Sequence, residues 1–182
     1  MLNAVGREIP EEILERTGKE VFQGNNYKDG KAFQKASPKV TPVMRNDHDK
    51  RVKDIHEALV RCNAHDGMTV SFHHHFREGD LVVCMVMEEI HKMGFKNITL
   101  SASSLGKAHD ALVPMIEDGT IVNIESSGVR GKIGDAISHG KLKGLATMRS
   151  HGGRVRAIET GETHVDIAFI GAPSCDEYGN CS

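Results

Sequence analysis

The 182-residue sequence predicts an α/β chain, with a mostly parallel sheet covered by helices. Three observations predict it. From Asn46 onward, short apolar segments alternate with stretches whose apolar residues recur at helical spacing. The strand-like segments read as apolar on both faces, as they do in a sheet that helices cover. Each of them also runs into a loop of small and polar residues instead of a two-residue hairpin turn, so crossovers and parallel pairing are expected.

Residues 1–45 stand apart as an N-terminal arm with one short helix. Pro10 occupies the first turn, and Glu11 and Glu12 follow where the helix dipole favours acids. The stretch QGNNYKDGKAFQKASPKVTP is polar and rich in Gly, Lys, Asn and Pro, which reads as a linker. Residues 46–182 read as one α/β domain, incomplete at its C-terminus.

Within that domain Asn46 or Asp47 is expected to cap a helix through about Asn63, with Val52, Ile55, Ala58, Leu59 and Cys62 as its apolar stripe. Met68–Phe72 is the first strand. Asp80 caps a helix carrying Leu81, Val82, Cys84, Met85, Met87 and Ile90, which Gly94 ends. Lys96–Leu100 is the second strand, His109–Asp118 a core helix and Thr120–Ile124 the third strand. In ESSGVRGKIGDAISHGKL glycine and serine are too dense for a simple helix. Gly144–Met148 is a short strand with RSHGGRVR behind it as a loop, and Val165–Ile170 is the last strand. A parallel strand there calls for a further crossover, so the architecture looks cut off.

Composition removes several function classes. Only 4% of residues are aromatic, with no Trp, so base-stacking modules are disfavoured. A net charge of -2 gives no general pull toward nucleic acid or acidic membranes, and any anion recognition must be local. No apolar run approaches the roughly 18 residues of a membrane span. The N-terminus lacks the build of a signal peptide, which points to the cytoplasm. Of the four cysteines, Cys62 and Cys84 sit in apolar helical patterns and read as buried reduced thiols. Cys175 and Cys181 read as free thiols too, a bridge or a metal being the alternatives.

Ligands of open parallel sheets bind beyond the carboxyl ends of the strands. Those ends carry His73, His74, His75 and Arg77; Ser103 and Ser104; Ser127, Gly128 and Arg130; Arg149, His151, Gly152 and Arg154; and Gly171 with Ala172. Hydroxyls, imidazoles and guanidinium groups along one rim suit an acidic ligand, a polycarboxylate or a phosphorylated carrier arm. For any one arginine, a solvated surface charge is the competing reading. His73 and His75 would share a face of a continued strand, but no third ligand follows at a recognisable spacing, so no metal is expected. No GxSxG elbow or Walker loop is present. Glu125 is the best-placed carboxylate, with a structural hydrogen-bonding role as the bland reading.

The strings FHHHFREGD, LSASSLG, NIESSGVRGKIGDAIS, RSHGGRVRAIETGE and IAFIGAPSCDEYGN resemble the citrate lyase α-subunit family along nearly the whole chain, and DEYGN is shared more widely among CoA transferases. The resemblance implies a CoA-transferase-like fold, of a kind some sugar-phosphate isomerases share, as the first of two related α/β halves with the active site between them. It implies transfer of an acyl-carrier or CoA thioester from acetyl to citrate, giving citryl-thioester and acetate. The implied thioester substrate is CoA or the CoA-like group of the acyl carrier subunit. The implied partners are the β (lyase) and γ (acyl carrier) subunits and the C-terminal half; the surface that this half would cover makes an oligomer the expected state of the chain by itself. Arg77, Arg130, Arg149 and Arg154 become candidates for holding carboxylates, and His73–His75 with the glycine-rich loops candidates for oxyanion or thioester contacts. In the wider superfamily the catalytic glutamate lies in the second half, so no catalytic residue is assigned here, and the chain alone is expected to be inactive. Citramalate stays open beside citrate as the acceptor. A stand-alone anion- or acyl-CoA-binding module and a sugar-phosphate isomerase remain as alternatives.

Overall fold

The computed structural model describes residues 1–3, 6–18, 20–21, 49–73 and 81–182. The chain divides into two compact units, Met1–Gln34 and Lys35–Ser182. In the first, Leu2 and Glu8 form an antiparallel bridge ahead of helix α1, Glu11–Thr17. Pro10 sits at its N-cap and Gly18 ends it in the left-handed conformation, as the proline and acids predict.

The second unit is built on five parallel strands: β1 Thr69–His73, β2 Ile98–Ala102, β3 Ile121–Ser126, β4 Ala146–Met148 and β5 Ile167–Ile170. Their order across the sheet is β4-β3-β2-β1-β5. Helices α2 Ile55–Arg61, α3 Val82–Lys92, α4 Val113–Glu117, α5 Gly131–Ser138 and α6 His151–Thr160 complete it, with a 3-10 segment, Lys107–Leu112, leading into α4. The expected α/β class with a parallel sheet is the observed one.

The order follows from handedness. Parallel crossovers are right-handed, so the steps β1 to β2, β2 to β3 and β3 to β4 put α3, α4 and α5 on one face. The step from β4 back across the sheet to β5 runs the other way and puts α6 on the opposite face. Packing agrees with this. Val70, Phe72, Leu100, Ala102 and Ile124 share one buried cluster with Leu59 of α2, Val86, Met87 and Ile90 of α3, Ile116 of α4 and Ile133 of α5. Phe72 stacks on Phe169 across β1 and β5, with centroids 5.6 Å apart.

The reading of strands apolar on both faces is corrected by the register. Thr69 lies beside Thr99 and Ser71 beside Ser101, while Thr99 pairs with Asn123, Ser101 with Glu125, and Glu125 with Thr147. These residues alternate with the core set, so the face beneath α6 is polar. A bulge after Ile98 and Ile121 maintains the separation. Ile121 and Ile124 are three apart and would face opposite sides of a regular strand; the extra residue resets the alternation, and both are buried.

Helix boundaries moved where caps decide them. The helix predicted from Asn46 or Asp47 begins at Ile55, because Asp54 accepts from Glu57 N–H at 2.8 Å and so defines the N-cap. Cys62 follows as its C-cap and is exposed, which corrects its reading as buried; Cys84 is buried. His109–Asp118 is not one helix: the 3-10 segment precedes α4, which has proline in its first turn. Asp80, the predicted cap of α3, lies outside the described residues.

The two glycine-rich stretches read as irregular both contain helices. In α6 the Ser150 hydroxyl accepts from Gly153 N–H at 3.0 Å, and Gly161 closes the helix in the left-handed conformation. In α5, Asp110 reaches from the 3-10 segment and accepts from Lys132 N–H at 2.7 Å, capping the helix from outside its own sequence. Gly131 begins it at φ +74, and a Cβ there would lie 2.6 Å from the Asp110 carboxylate oxygen. Gly131→Ala is expected to destabilise the chain by about 1–2 kcal/mol, read as a lower urea midpoint, because it adds left-handed strain to a displaced cap.

Candidate functional site

The rim at the carboxyl ends of β2 and β3 is tied together by its backbone. Leu105 and Val129 form a parallel bridge, with Leu105 N–H donating to Gly128 O at 2.9 Å and Arg130 N–H to Leu105 O at 3.0 Å. Ser127 donates through both its N–H and its hydroxyl to Ser103 O, and Ser126 Oγ donates to Gly128 O at 2.9 Å. Small residues are what let two strand-end loops approach this closely. The rim is therefore a rigid ledge carrying Ser103, Ser104, Ser127 and Gly128, with Arg130 exposed at the N-cap of α5. Among the described residues the Arg130 guanidinium has no hydrogen-bond or ion-pair partner.

The other arginines are placed differently. Arg149 follows β4, its N–H donating to Ser126 O at 2.8 Å, and its guanidinium donates to Glu162 at 3.0 Å. Arg156 shares that carboxylate at 2.6 Å, and the two arginines hold Glu162 below the usual carboxylate range, Arg156 contributing most. Arg154 projects from α6 onto the polar face of the sheet. It donates to Ser101 Oγ at 2.6 Å, to Ser71 Oγ at 2.8 Å and to Ser101 O at 3.4 Å. Burial pulls its pKa down, while the charge of Glu125 pushes it back up. So Arg130 faces outward, whereas Arg149 and Arg154 hold α6 and the loop after it against the sheet. Arg77, with His74 and His75, lies outside the described residues.

His73 ends β1 and is exposed beside Ile170 of β5, and Gly171 and Ala172 are exposed just beyond. The strand order reverses between β1 and β5, so this is the switch point at which doubly wound sheets leave a crevice. His151 and Gly152 are exposed in the first turn of α6, where main-chain N–H groups lack intrahelical partners. Glu125 accepts from the Thr163 hydroxyl at 2.5 Å. Among the described residues no group of three His, Cys, Asp or Glu is placed to hold a metal ion. No helix among them is long and apolar enough to cross a membrane.

Sequence reasoning missed a second concavity. A cleft of about 300 Å³ opens on the polar face, lined by Thr69, Thr99, Asn123, Thr147, Glu162 and Thr163. The alternation of Thr, Ser and Asn with Ile, Val and Leu along β1–β3 was the signal for that face.

Fold and rim together define a doubly wound α/β domain whose strand ends carry exposed imidazole, guanidinium and main-chain groups, while Ser103 is buried and the Ser127 hydroxyl is held by Ser103 O. The family model for citrate lyase, alpha subunit, matches residues 48–182, and the chain belongs to that family. The citrate lyase alpha chain of Escherichia coli (strain K12) is 49% identical over 152 residues, 83% of this chain and 30% of the relative. That of Haemophilus influenzae is 44% identical over 157 residues, 86% of this chain and 31% of the relative. A crystal structure of the citrate lyase alpha subunit from Streptococcus mutans, in complex with citrate, superposes with a TM-score of 0.80 at 45% identity. It covers 98% of this chain and 34% of that one, so the chain spans about a third of the length of the relatives it matches.

Proposed function

We propose that this chain supplies one α/β lobe of a citrate lyase α subunit that transfers an acyl-carrier or CoA thioester from acetyl to citrate. The observation that carries the reading is the citrate-bound alpha subunit from Streptococcus mutans, alike in fold over 98% of this chain at 45% identity. A citrate carboxylate attacks the acetyl-thioester carbonyl and expels the carrier thiolate, leaving a mixed anhydride. The thiolate then attacks the citryl carbonyl and releases acetate. A separate β subunit cleaves the citryl-thioester to oxaloacetate and the acetyl carrier, carried on the γ subunit, in the cytoplasm.

Both steps place negative charge on a carbonyl oxygen while a tricarboxylate is held still, so they need fixed donors and a cation near the reacting atoms. Arg130 is an outward cation that this lobe offers beside the Ser103–Ser127 ledge. His73, Gly171 and Ala172 at the switch point, with His151 and Gly152 at the start of α6, are the exposed groups that would contact the thioester and its oxyanion. CoA or the CoA-like carrier group enters as substrate.

The test is acetate release from acetyl-CoA and labelled citrate, using this chain with and without a separately expressed chain carrying the rest of a relative's length. Release is expected only from the combined protein. There, Arg130→Met is expected to raise KM for citrate about tenfold while leaving that for acetyl-CoA near its starting value. No release from a folded, assembled pair would sink the transferase reading and favour an anion-binding module. Turnover of a sugar phosphate by this chain alone would favour an isomerase.

A further inference from the structure

The hairpin after β5 brings two cysteines face to face. Cys175 and Cys181 form an isolated antiparallel bridge, and both are exposed free thiols. The hydrogen bonds flank the pair without joining it: Asp176 N–H donates to Asn180 O at 3.1 Å, and Ser182 N–H donates to Ser174 O at 3.2 Å. That pattern is the non-hydrogen-bonded pair of an antiparallel ladder, in which the Cα atoms lie about 4.5 Å apart and the two side chains share a face. Disulfides span Cα separations of about 4.4–6.8 Å, so the backbone already meets the requirement.

The turn between them is held independently of the thiols. Asp176 Oδ1 accepts from Tyr178 N–H at 3.0 Å and from Asn180 N–H at 2.9 Å, and its Oδ2 accepts from the Asn180 amide at 2.7 Å. Gly179 takes the φ of +81 that the turn requires. The turn is also docked on the start of the described domain, with Lys50 N–H donating to Glu177 O at 2.7 Å and Lys50 Nζ to Tyr178 O at 2.5 Å. The other two cysteines differ: Cys84 is buried, which pushes its thiol pKa up, and Cys62 has no cysteine opposite it among the described residues.

We propose that Cys175 and Cys181 are a redox-active dithiol that closes into a cross-strand disulfide on meeting a low-molecular-weight disulfide. One thiolate attacks the oxidant, forming a mixed disulfide and releasing one small thiol. The second thiolate attacks the protein sulfur of that mixed disulfide and expels the other. Two cysteine thiols are oxidised, one small disulfide is reduced to two thiols, and the two cysteine protons pass to the leaving thiolates. In a reducing compartment the pair stays open and records oxidation when it comes. The inference does not depend on the transferase reading.

The experiment equilibrates the chain, in a Cys62→Ala background, with buffers of reduced and oxidised glutathione, then alkylates free thiols and maps the products by mass spectrometry. The folded chain is expected to hold a peptide lighter by two hydrogens that joins Cys175 to Cys181. Its effective thiol concentration should exceed that of the same chain in urea by about tenfold or more, because folding pre-pays the loop closure. Asp176→Ala, which removes the turn's acceptor at a half-buried surface site, is expected to bring the value severalfold back toward the urea figure with an unchanged far-UV spectrum. Separate glutathione adducts on the two cysteines, or equal effective concentrations folded and in urea, would overturn the proposal. The folded-against-urea comparison decides the matter even if the Asp176 variant misfolds.

Discussion

Phe72→Ala is expected to cost about 3–5 kcal/mol of folding stability, a large share of the roughly 5–15 kcal/mol that a domain has. Phe72 lies on β1, between β2 and β5, is 2% exposed, and belongs to the cluster in which β1, β2 and β3 meet α3, α4 and α5. Its ring is nearly parallel to that of Phe169, with 14° between the planes, so the substitution removes a stacked partner as well as leaving a cavity. Phe169 is only partly buried, so Phe169→Ala should cost visibly less. The double variant should show a coupling of about 0.5–1.5 kcal/mol in urea titrations. A cost for Phe72→Ala below about 1 kcal/mol would mean that β1 and β5 do not pack as described.

The strands were legible because burial writes itself locally. Val70 and Phe72, Ile98 and Leu100, and Ile121 and Ile124 each announce a core-facing edge within a few residues, and the polar loops behind them mark where a parallel strand must stop. The polar face was overlooked although Thr99 and Ser101 alternate with Ile98 and Leu100 in the sequence; the register shows what that alternation meant, setting Thr99 beside Thr69 and Asn123. Helix α6 was missed because its signal is a cap, not a stripe, and in α5 Gly131 and Gly134 masked a short stripe of Ile133, Ala136 and Ile137. Ser150 and Gly161 bracket α6 in the sequence and could have been read, but the cap of α5 comes from Asp110, more than twenty residues away, and no local pattern contains it.

The rim itself was legible, since its residues sit where parallel strands end. What each arginine does there was not. Arg130 and Arg154 look alike as sequence, yet one is exposed at a helix start and the other is spread over two serines 53 and 83 residues away. Such a division comes from the reversal of chain direction after β4, which carries α6 across the sheet, and only the topology states it.

That commitment makes Arg154 the second large effect. Arg154→Met keeps length and much of the packing but removes the charge-assisted bonds to Ser71 and Ser101, each worth about 1.5–3 kcal/mol to a stable fold. Part of the guanidinium's bonding is offset by its own desolvation, the first cause of its lowered pKa, so a net loss of about 2–3 kcal/mol is expected in urea unfolding. Much of that loss is the penalty of leaving buried hydroxyls unpaired, and Ser101 is fully buried. Adding Ser101→Ala to Arg154→Met should therefore recover about 1 kcal/mol, although Ser101→Ala alone is destabilising. Arg154→Lys retains the charge but not the fork that spans two strands, and should fall between the two. If Arg154→Met instead left the urea midpoint unchanged and acted only on the affinity for citrate in the assembled protein, the guanidinium would belong to the ligand and not to the seat of α6.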